Sequence, residues 1–261
     1  MSTNDLHVTE LGDHGPRVAF FHGLFGQGKN WTQIGKVLAA DHRVMLVDMP
    51  NHGRSAWTDR IDYLDLADRV ASLFDPIDPA VVVGHSMGGK IAMAMTLRHR
   101  ELVERLAVVD ISPVATRQES EFAGYVKAMQ GLDLDGLERR ADADEQLASA
   151  VANKTVRSFL LQNLRHERSG WRWQPNLEVL GRDLEALGDW PAELADAAPY
   201  DGKVLWVAGA DSGYVKEEYA GAMERLFPRV QRVTIKKAGH WVHSEQPEIF
   251  RSVLQRFLAA T

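Results

Sequence analysis

The chain has 261 residues, of which 45% are hydrophobic and 25% charged, as expected for a globular protein that buries a sizeable core. Its 36 acidic and 30 basic residues give a formal charge of −6, and because no basic stripe runs through the sequence, nucleic-acid binding is disfavoured. The absence of cysteine excludes disulfides, thiolate metal sites and a cysteine nucleophile.

The N-terminal segment Met1–Leu6 has neither the basic start nor the apolar stretch of a secretory signal. No apolar run approaches the roughly 18 to 20 residues that cross a bilayer. We therefore expect a cytoplasmic protein that does not associate with a membrane, and the sequence makes no prediction of its oligomeric state. Because cysteine and an HExxH-like ligand pair are both absent, neither a metal ion nor an organic cofactor is expected.

Short apolar runs rich in β-branched residues alternate with helical patterns along most of the chain. Their nearly continuous apolar character is typical of parallel strands that are covered by helices on both faces. The alternation predicts an α/β fold with a doubly wound, mostly parallel sheet, to which Leu6–Leu11 adds an edge strand. The other predicted strands are Arg17–Phe21, Arg43–Val47, Ala80–Val83, Leu106–Val109, Lys203–Val207 and Val230–Ile235, and the predicted helices between and after them are Tyr63–Phe74, Lys90–Arg98, Lys216–Phe227 and Pro247–Leu258.

One region breaks this alternation. From Thr116 to Pro199 no strand is predicted, and a helical insertion of this length between two late strands indicates a cap over the sheet. We therefore expect a core made of residues 1–115 and 200–261, with a helical cap at 116–199 inserted within the single domain. The helices predicted in the cap are Glu119–Met129, Leu137–Ala150, Thr155–Leu164 and Leu177–Leu187.

A candidate nucleophile lies at a turn between a predicted strand and a predicted helix. Residues 84–88 read GHSMG, a G-x-S-x-G pattern, with Ser86 at its centre. Gly84 and Gly88 are required if the strand and the helix nearly touch there. Such a turn lifts the serine hydroxyl above the carboxyl edge of the sheet and aims the helix N-terminus at it. The pattern therefore predicts that Ser86 is a nucleophile, whereas the plainer alternative is a glycine-rich turn without a catalytic role.

The best candidate for the general base lies in the loop before the last predicted helix. His240 follows the last predicted strand within Ala-Gly-His-Trp, and its main rival, His243, lacks the preceding Ala-Gly that would let the loop bend inwards. A lone histidine is more often structural than catalytic, but the turn at Ser86 favours His240 as its base. Six other histidines lie in turn motifs or among charged residues: His22, His52 and His85, and His42, His99 and His166.

Five motifs, in this order, resemble those of the α/β-hydrolase fold family over essentially the whole chain. Within that family the sequence is most similar to small bacterial esterases of the YbfF type. The motifs are HGLFG at 22–26, DMPNHGRS at 48–55, GHSMGGK at 84–90, VVDISPV at 108–114 and AGHWVHSEQP at 238–247. The resemblance implies an oxyanion hole formed by the backbone N–H groups of Leu24 and Met87, two donors suited to the negative oxygen of a tetrahedral intermediate.

The acid that orients His240 has two candidates. In many family members it follows a late strand in a G-x-x-D turn, but counting from Gly209 that position holds Ser212, and Asp211 falls one residue early. Other members carry the acid after the preceding strand, where this chain has Asp110. We favour Asp110 and keep Asp211 as the alternative.

Together these features predict a serine carboxylic-ester hydrolase that forms an acyl-enzyme intermediate. Because the cap sequence has no basic cluster, a small to medium, mostly uncharged ester is expected as the small-molecule partner. A carbon–carbon bond hydrolase, a perhydrolase and a non-catalytic small-ligand-binding protein remain alternatives on the same fold. Apolar residues that are expected to line the substrate pocket are Phe25, Phe122, Tyr125, Met129, Phe159, Leu160, Trp171, Trp173 and Trp241.

Overall fold

The computed structural model describes residues 5–116 and 119–259. Residues 1–4 of the N-terminal segment, 117–118 of the predicted cap and 260–261 of the predicted core lie outside the described residues. The strands of the described part are β1 (Val8–Leu11), β2 (Arg17–Phe21), β3 (Arg43–Val47), β4 (Ala80–His85), β5 (Val103–Val109), β6 (Leu164–Glu167), β7 (Gly170–Trp173), β8 (Lys203–Gly209) and β9 (Val230–Ile235).

The main sheet has seven strands in the order β1-β3-β2-β4-β5-β8-β9. Every neighbouring pair is parallel except β1 and β3, so the mostly parallel sheet and the added edge strand are both as predicted. The central strand β4 is buried along its whole length, which its unbroken apolar sequence requires. The carboxyl ends of the parallel strands meet at one edge of the sheet.

Helices cover both faces of this sheet, which confirms the doubly wound α/β-hydrolase fold. Alternate residues of β2 divide between the faces. Val18 and Phe20 pack with the helices Thr32–Leu38 and Pro247–Ala259, and Ala19 and Phe21 pack with the helices Tyr63–Ala71 and Met87–Arg98. None of the helices in the described ranges is long and apolar enough to span a membrane. The helices are α1 (Thr32–Leu38), α2 (Tyr63–Ala71), α3 (Met87–Arg98), α4 (Glu119–Gln130), α5 (Arg140–Leu147), α6 (Lys154–Leu161), α7 (Leu177–Arg182), α8 (Leu184–Gly188), α9 (Ala192–Ala195), α10 (Ala220–Leu226), α11 (Val242–Glu245) and α12 (Pro247–Ala259).

The insertion between β5 and β8 contains α4 to α9 and also the antiparallel pair β6 and β7. The expectation that this region has no strand is therefore wrong, and the predicted helix Thr155–Leu164 ends at Leu161 instead. The hairpin reads LRHERSGWRW and carries no β-branched residue, so it lacks the usual strand signal. Gly170 at φ 108° allows the tight return, a backbone conformation that glycine adopts without steric cost.

Candidate active site

Ser86 occupies the turn between the end of β4 and the first residue of α3. Its φ of 52° and ψ of −120° are unusual for a residue with a side chain, which marks a turn held in place by its surroundings. A Cβ at Gly84 would lie 2.4 Å from the carbonyl oxygen of Gly88, and one at Gly88 would lie 2.6 Å from that of Phe21. Gly84 is therefore needed for β4 and α3 to approach this closely, and Gly88 is needed for α3 to pass the end of β2.

His240 lies in the loop between β9 and α11 and bonds two side chains at once. Its Nδ1 is 2.8 Å from Asp110 Oδ2 and its Nε2 is 2.9 Å from Ser86 Oγ. A carboxylate can only accept, so Nδ1 carries the proton and donates it, which leaves Nε2 free to accept from the Ser86 hydroxyl. The ring of Tyr214 stacks on the imidazole with 4.0 Å between centroids. The geometry is that of a nucleophile, a base and an orienting acid.

Asp110 follows β5 directly and is fully buried. Besides the His240 contact, its Oδ2 accepts from the Ser212 hydroxyl at 2.5 Å and its Oδ1 accepts from the Gly209 backbone N–H at 2.9 Å. Ser212 stands at the position where many family members carry the acid. Here its hydroxyl supports the carboxylate that comes from the neighbouring strand, a role that the sequence analysis did not find.

Asp211, the alternative acid, is exposed. Its backbone N–H donates to the Ala238 carbonyl at 2.9 Å, which holds the turn after β8 against the histidine loop. The carboxylate that bonds the His240 ring is that of Asp110. The structure thus brings Ser86, His240 and Asp110 together and leaves Asp211 outside their hydrogen-bond chain.

The loop at residues 22–26 lies directly over Ser86. A Cβ at Gly23 would be 2.8 Å from His85 Nδ1 and 3.2 Å from Ser86 Cβ, so only glycine allows this approach. Leu24 and Met87, the two predicted oxyanion-hole residues, both line the cavity that contains Ser86. Met87 is the first residue of α3, where a backbone N–H has no acceptor within its own helix.

The DMPNHGRS segment at 48–55 holds the 22–26 loop and the residues after it through hydrogen bonds. The sequence alone did not reveal this role. The Phe25 backbone N–H donates to His52 Nε2 at 3.2 Å, so the Nδ1–H of His52 donates to the Pro50 carbonyl at 2.9 Å. Asp48 accepts from the backbone N–H groups of Gly28 at 2.7 Å and Arg54 at 3.0 Å. The segment therefore acts as a buried platform that fixes where the loop lies.

Four buried imidazoles surround the site without joining the Ser86 chain. Burial lowers the pKa of His22 to about 4 and the pKa values of His52 and His243 to about 3. Burial, together with the neighbouring imidazoles of His243 and His240, lowers the pKa of His85 well below its ordinary value. His85 Nε2 donates to the His240 carbonyl at 2.8 Å, so this neutral ring fixes the backbone of the histidine loop.

These buried imidazoles should make the fold lose stability as pH falls below about 6.5, the ordinary pKa of histidine. Between that value and the lower folded pKa, the unfolded chain binds more protons than the folded one, so acid favours unfolding. For His243 alone the loss between pH 7 and pH 5 is about 2 kcal/mol. His243→Phe keeps an aromatic ring beside Trp31, whose centroid lies 4.3 Å from that of His243, and should remove this part of the pH dependence. Urea unfolding at pH 7 and pH 5 measures this difference in stability, and an unchanged difference in the variant would show that folding does not lower the pKa of His243.

Ser86 lies where two cavities meet, one of about 470 Å³ and one of about 320 Å³. The predicted pocket residue Phe122 lines both cavities. Five more of the predicted pocket residues line the smaller cavity: Phe25, Tyr125, Phe159, Leu160 and Trp241.

Three predicted pocket residues line neither cavity, so the prediction that they form pocket walls is wrong. Met129 is fully buried, and its carbonyl accepts from Trp173 Nε1 at 2.8 Å, so both side chains pack inside the cap. Trp171 donates through Nε1 to the Leu137 carbonyl at 2.9 Å and packs beside Arg140. Apolar residue type marked these positions as candidates, but their hydrogen bonds hold the cap together instead.

Lys90 is a buried charged residue of the larger cavity that the sequence analysis did not single out, although it closes the GHSMGGK motif. Its Nζ donates to the carbonyl oxygens of Gly188 at 2.6 Å and Asp189 at 2.7 Å, at the end of α8. Burial lowers its pKa to about 7. Because both carbonyls belong to the inserted segment, this ammonium ties α3 to the cap behind the cavity.

Comparison with known proteins agrees with this geometry. A family model described as the alpha/beta hydrolase fold matches residues 16–247. The chain is 36% identical to the "sn-1-specific diacylglycerol lipase ABHD11" of Mus musculus, over 94% of this chain and 81% of that protein. It is 30% identical to "Esterase YbfF" of Escherichia coli strain K12, over 92% of each. Among solved structures, "Marine microorganism esterase" superposes with a TM-score of 0.92 at 29% identity, covering 97% of this chain and 99% of that one.

The matching family model spans most of the chain, and the two relatives named above are a lipase and an esterase. Their similarity extends over nearly the whole length on both sides, so it includes the core and the insertion. The resemblance to small bacterial esterases is confirmed. The chain therefore belongs to the α/β-hydrolase fold family and is a serine hydrolase of its esterase and lipase type.

Proposed function

We propose that this protein is a serine carboxylic-ester hydrolase that acts through an acyl-enzyme intermediate on small to medium, mostly uncharged esters. The observation that carries the proposal is one imidazole, that of His240, bonded to Ser86 Oγ at 2.9 Å and to Asp110 Oδ2 at 2.8 Å. These separations suit proton transfer between the groups. The trio lies against a mostly apolar cavity, which suits an uncharged ester.

In the proposed reaction His240 Nε2 takes the Ser86 proton while the serine oxygen attacks the ester carbonyl carbon. Asp110 stabilises the imidazolium that forms. The backbone N–H groups of Leu24 and Met87 donate to the negative oxygen of the tetrahedral intermediate. His240 then protonates the leaving alcohol, and an acyl-enzyme remains. A water molecule, deprotonated by His240, attacks the acyl carbon and releases the carboxylic acid and free Ser86.

We assign residues 1–115 and 200–261 to the catalytic core and residues 116–199 to a cap that shapes the substrate pocket. The cap helices α4 and α6 provide Phe122 and Phe159 to the cavity walls beside Ser86. The core provides the reacting groups, whereas the cap adds three aromatic side chains, Phe122, Tyr125 and Phe159, to the cavity walls, so the cap should influence which acyl or alcohol groups fit.

Substrate choice can be tested with p-nitrophenyl esters. The larger cavity has mostly apolar walls, and its one lysine already binds two carbonyl oxygens. We expect kcat/KM for the butyrate and the hexanoate to exceed the values for the palmitate and for a succinate half-ester by at least about tenfold. The charged succinate would lose solvation in the cavity, and the long palmitate chain would lack contacts there. A preference for palmitate would instead favour long-chain lipid esters, the substrates implied by the name of the mouse relative.

Labelling with a fluorophosphonate, followed by peptide mapping, tests the assignment to Ser86 itself. A carbon–carbon bond hydrolase or a perhydrolase would also be labelled, but would turn over a 1,5-diketone or form a peroxyacid faster than it hydrolyses the esters. A protein that only binds a small ligand would show no repeated turnover. Labelling elsewhere than Ser86, together with full ester hydrolysis, contradicts the proposal.

A further inference from the structure

Asn163 is a fully buried polar residue of the cap that bonds the loop over Ser86. Its Nδ2 donates to the Phe25 carbonyl at 2.7 Å and its Oδ1 accepts from Gln27 Nε2 at 2.5 Å. The same Nδ2 also donates to the Leu160 carbonyl at 3.2 Å. A buried amide whose bonds cross from one segment to another is costly to break, because each partner would be left unsatisfied.

The residue that Asn163 bonds is strained. Phe25 has a φ of 59°, a left-handed conformation that side chains disfavour. Its N–H is held by His52 Nε2 of the core, and its carbonyl is held by Asn163 of the cap. The two bonds fix the peptide groups on both sides of Phe25. Without the bond to the carbonyl, the His52 bond alone would hold Phe25 against relaxation of its φ, and any such relaxation would turn the Leu24–Phe25 peptide and move Leu24.

We infer that Asn163 is a positioning residue for the oxyanion hole, acting through Phe25 to hold the Leu24 N–H over Ser86. The inference rests on the proposed function, because it assumes that an oxyanion forms there. It also makes the hole depend on the cap. When the cap segment that carries Asn163 packs against the 22–26 loop, Asn163 Nδ2 donates to the Phe25 carbonyl and the loop keeps its strained conformation.

A matched control exists elsewhere on the cap. The carboxylate of Asp183 accepts from the backbone N–H of Ile61 at 2.9 Å, so it also joins the cap to the core, but away from the 22–26 loop. Loss of this bond should loosen the cap without moving Leu24. Comparison of Asn163 with Asp183 therefore separates a general effect on the cap from a specific effect on the oxyanion hole.

The experiment measures kcat, KM and inhibition by a trifluoromethyl ketone for Asn163→Asp, Asn163→Ala and Asp183→Ala. The ketone adds to the serine and places a negative oxygen in the hole. The aspartate keeps the side-chain volume and the acceptor for Gln27 but lacks the Nδ2 donor. We expect both Asn163 variants to lower kcat and weaken ketone inhibition by about 10- to 100-fold, with KM changed less than about threefold. Asp183→Ala should stay within about threefold of the original protein in all three measurements.

Equal losses in the Asn163 and Asp183 variants, or a normal kcat in folded Asn163→Asp, would overturn the inference. Should the Asn163 variants not fold, Gln27→Leu removes the bond to the Asn163 amide oxygen and should reproduce the same pattern with a smaller loss. Normal kcat and ketone inhibition in that variant would then overturn it. Ser86→Ala is measured alongside: if that variant retains turnover, the proposed function fails, whereas loss there with normal Asn163 variants refutes this inference alone.

Discussion

Ser86→Ala should lower kcat for p-nitrophenyl esters by at least about 10³-fold and leave the fold intact. The substitution removes the oxygen that bonds His240 Nε2 and that would carry the acyl group. His240→Ala should cause a loss of the same order, because no other imidazole bonds Ser86 among the described residues. Since the two groups act as a unit, the double variant should be little worse than either single one.

Thermal unfolding and fluorophosphonate labelling provide the controls for these variants. A melting temperature within a few degrees of the original would show that activity was lost through chemistry and not through unfolding. His240→Ala should also label far more slowly, because its serine has no base. If Ser86→Ala retains most of the ester hydrolysis, another residue is the nucleophile and the proposed mechanism is wrong.

Asp110→Asn should depress kcat by about 10⁴-fold, the loss seen when the same change is made in a serine protease. The Asp110 carboxylate accepts from three donors: His240 Nδ1, the Ser212 hydroxyl and the Gly209 N–H. An amide has only one acceptor oxygen, so its NH₂ group must oppose at least one of these donors. It also cannot balance the charge of the imidazolium, and it can favour the wrong imidazole tautomer.

Asp211→Asn is the matched control, since it makes the same chemical change at an exposed position in the turn that follows the neighbouring strand β8. It should cost less than about tenfold, through local disturbance of the turn that bonds Ala238. Both variants need a check of folding, because a buried carboxylate with three donors can also be structural. A crippling effect of Asp211→Asn together with a mild one of Asp110→Asn would mean that the acid follows β8.

Short-range features of this protein were readable from the sequence alone. The apolar pattern of each strand and the turn at Ser86 depend on residues within a few positions of one another, such as Gly84 and Gly88. A short stretch of sequence is therefore enough to predict them. The hairpin of β6 and β7 was missed for the converse reason. Apart from Trp171 and Trp173, its residues, such as His166 and Arg172, have weak strand preference, and each strand is stabilised by pairing with the other.

The pocket walls needed the packed structure. Phe159 and Trp171 are both aromatic residues of the cap, and composition cannot tell which of them faces Ser86. Only the fold of the cap puts Phe159 on a cavity and turns Trp171 towards the Leu137 carbonyl. Lys90 and Asn163 are similar cases, since their partners Gly188 and Phe25 lie 98 and 138 residues away in the chain.

The identity of the carboxylate that orients His240 could not be predicted from local sequence. The sequence alone placed Ser86 in a strand–turn–helix and His240 in a late loop. It also showed that Asp110 and Asp211 each follow the end of a predicted strand. Which carboxylate meets the imidazole was decided by the tertiary structure. The parallel register of β5 and β8 sets Val109 beside Val207, so that Asp110 lies against Gly209 and faces His240 while Asp211 turns to solvent. A one-residue difference reverses the direction of a side chain at a strand end, and only the pairing of distant strands fixes that register.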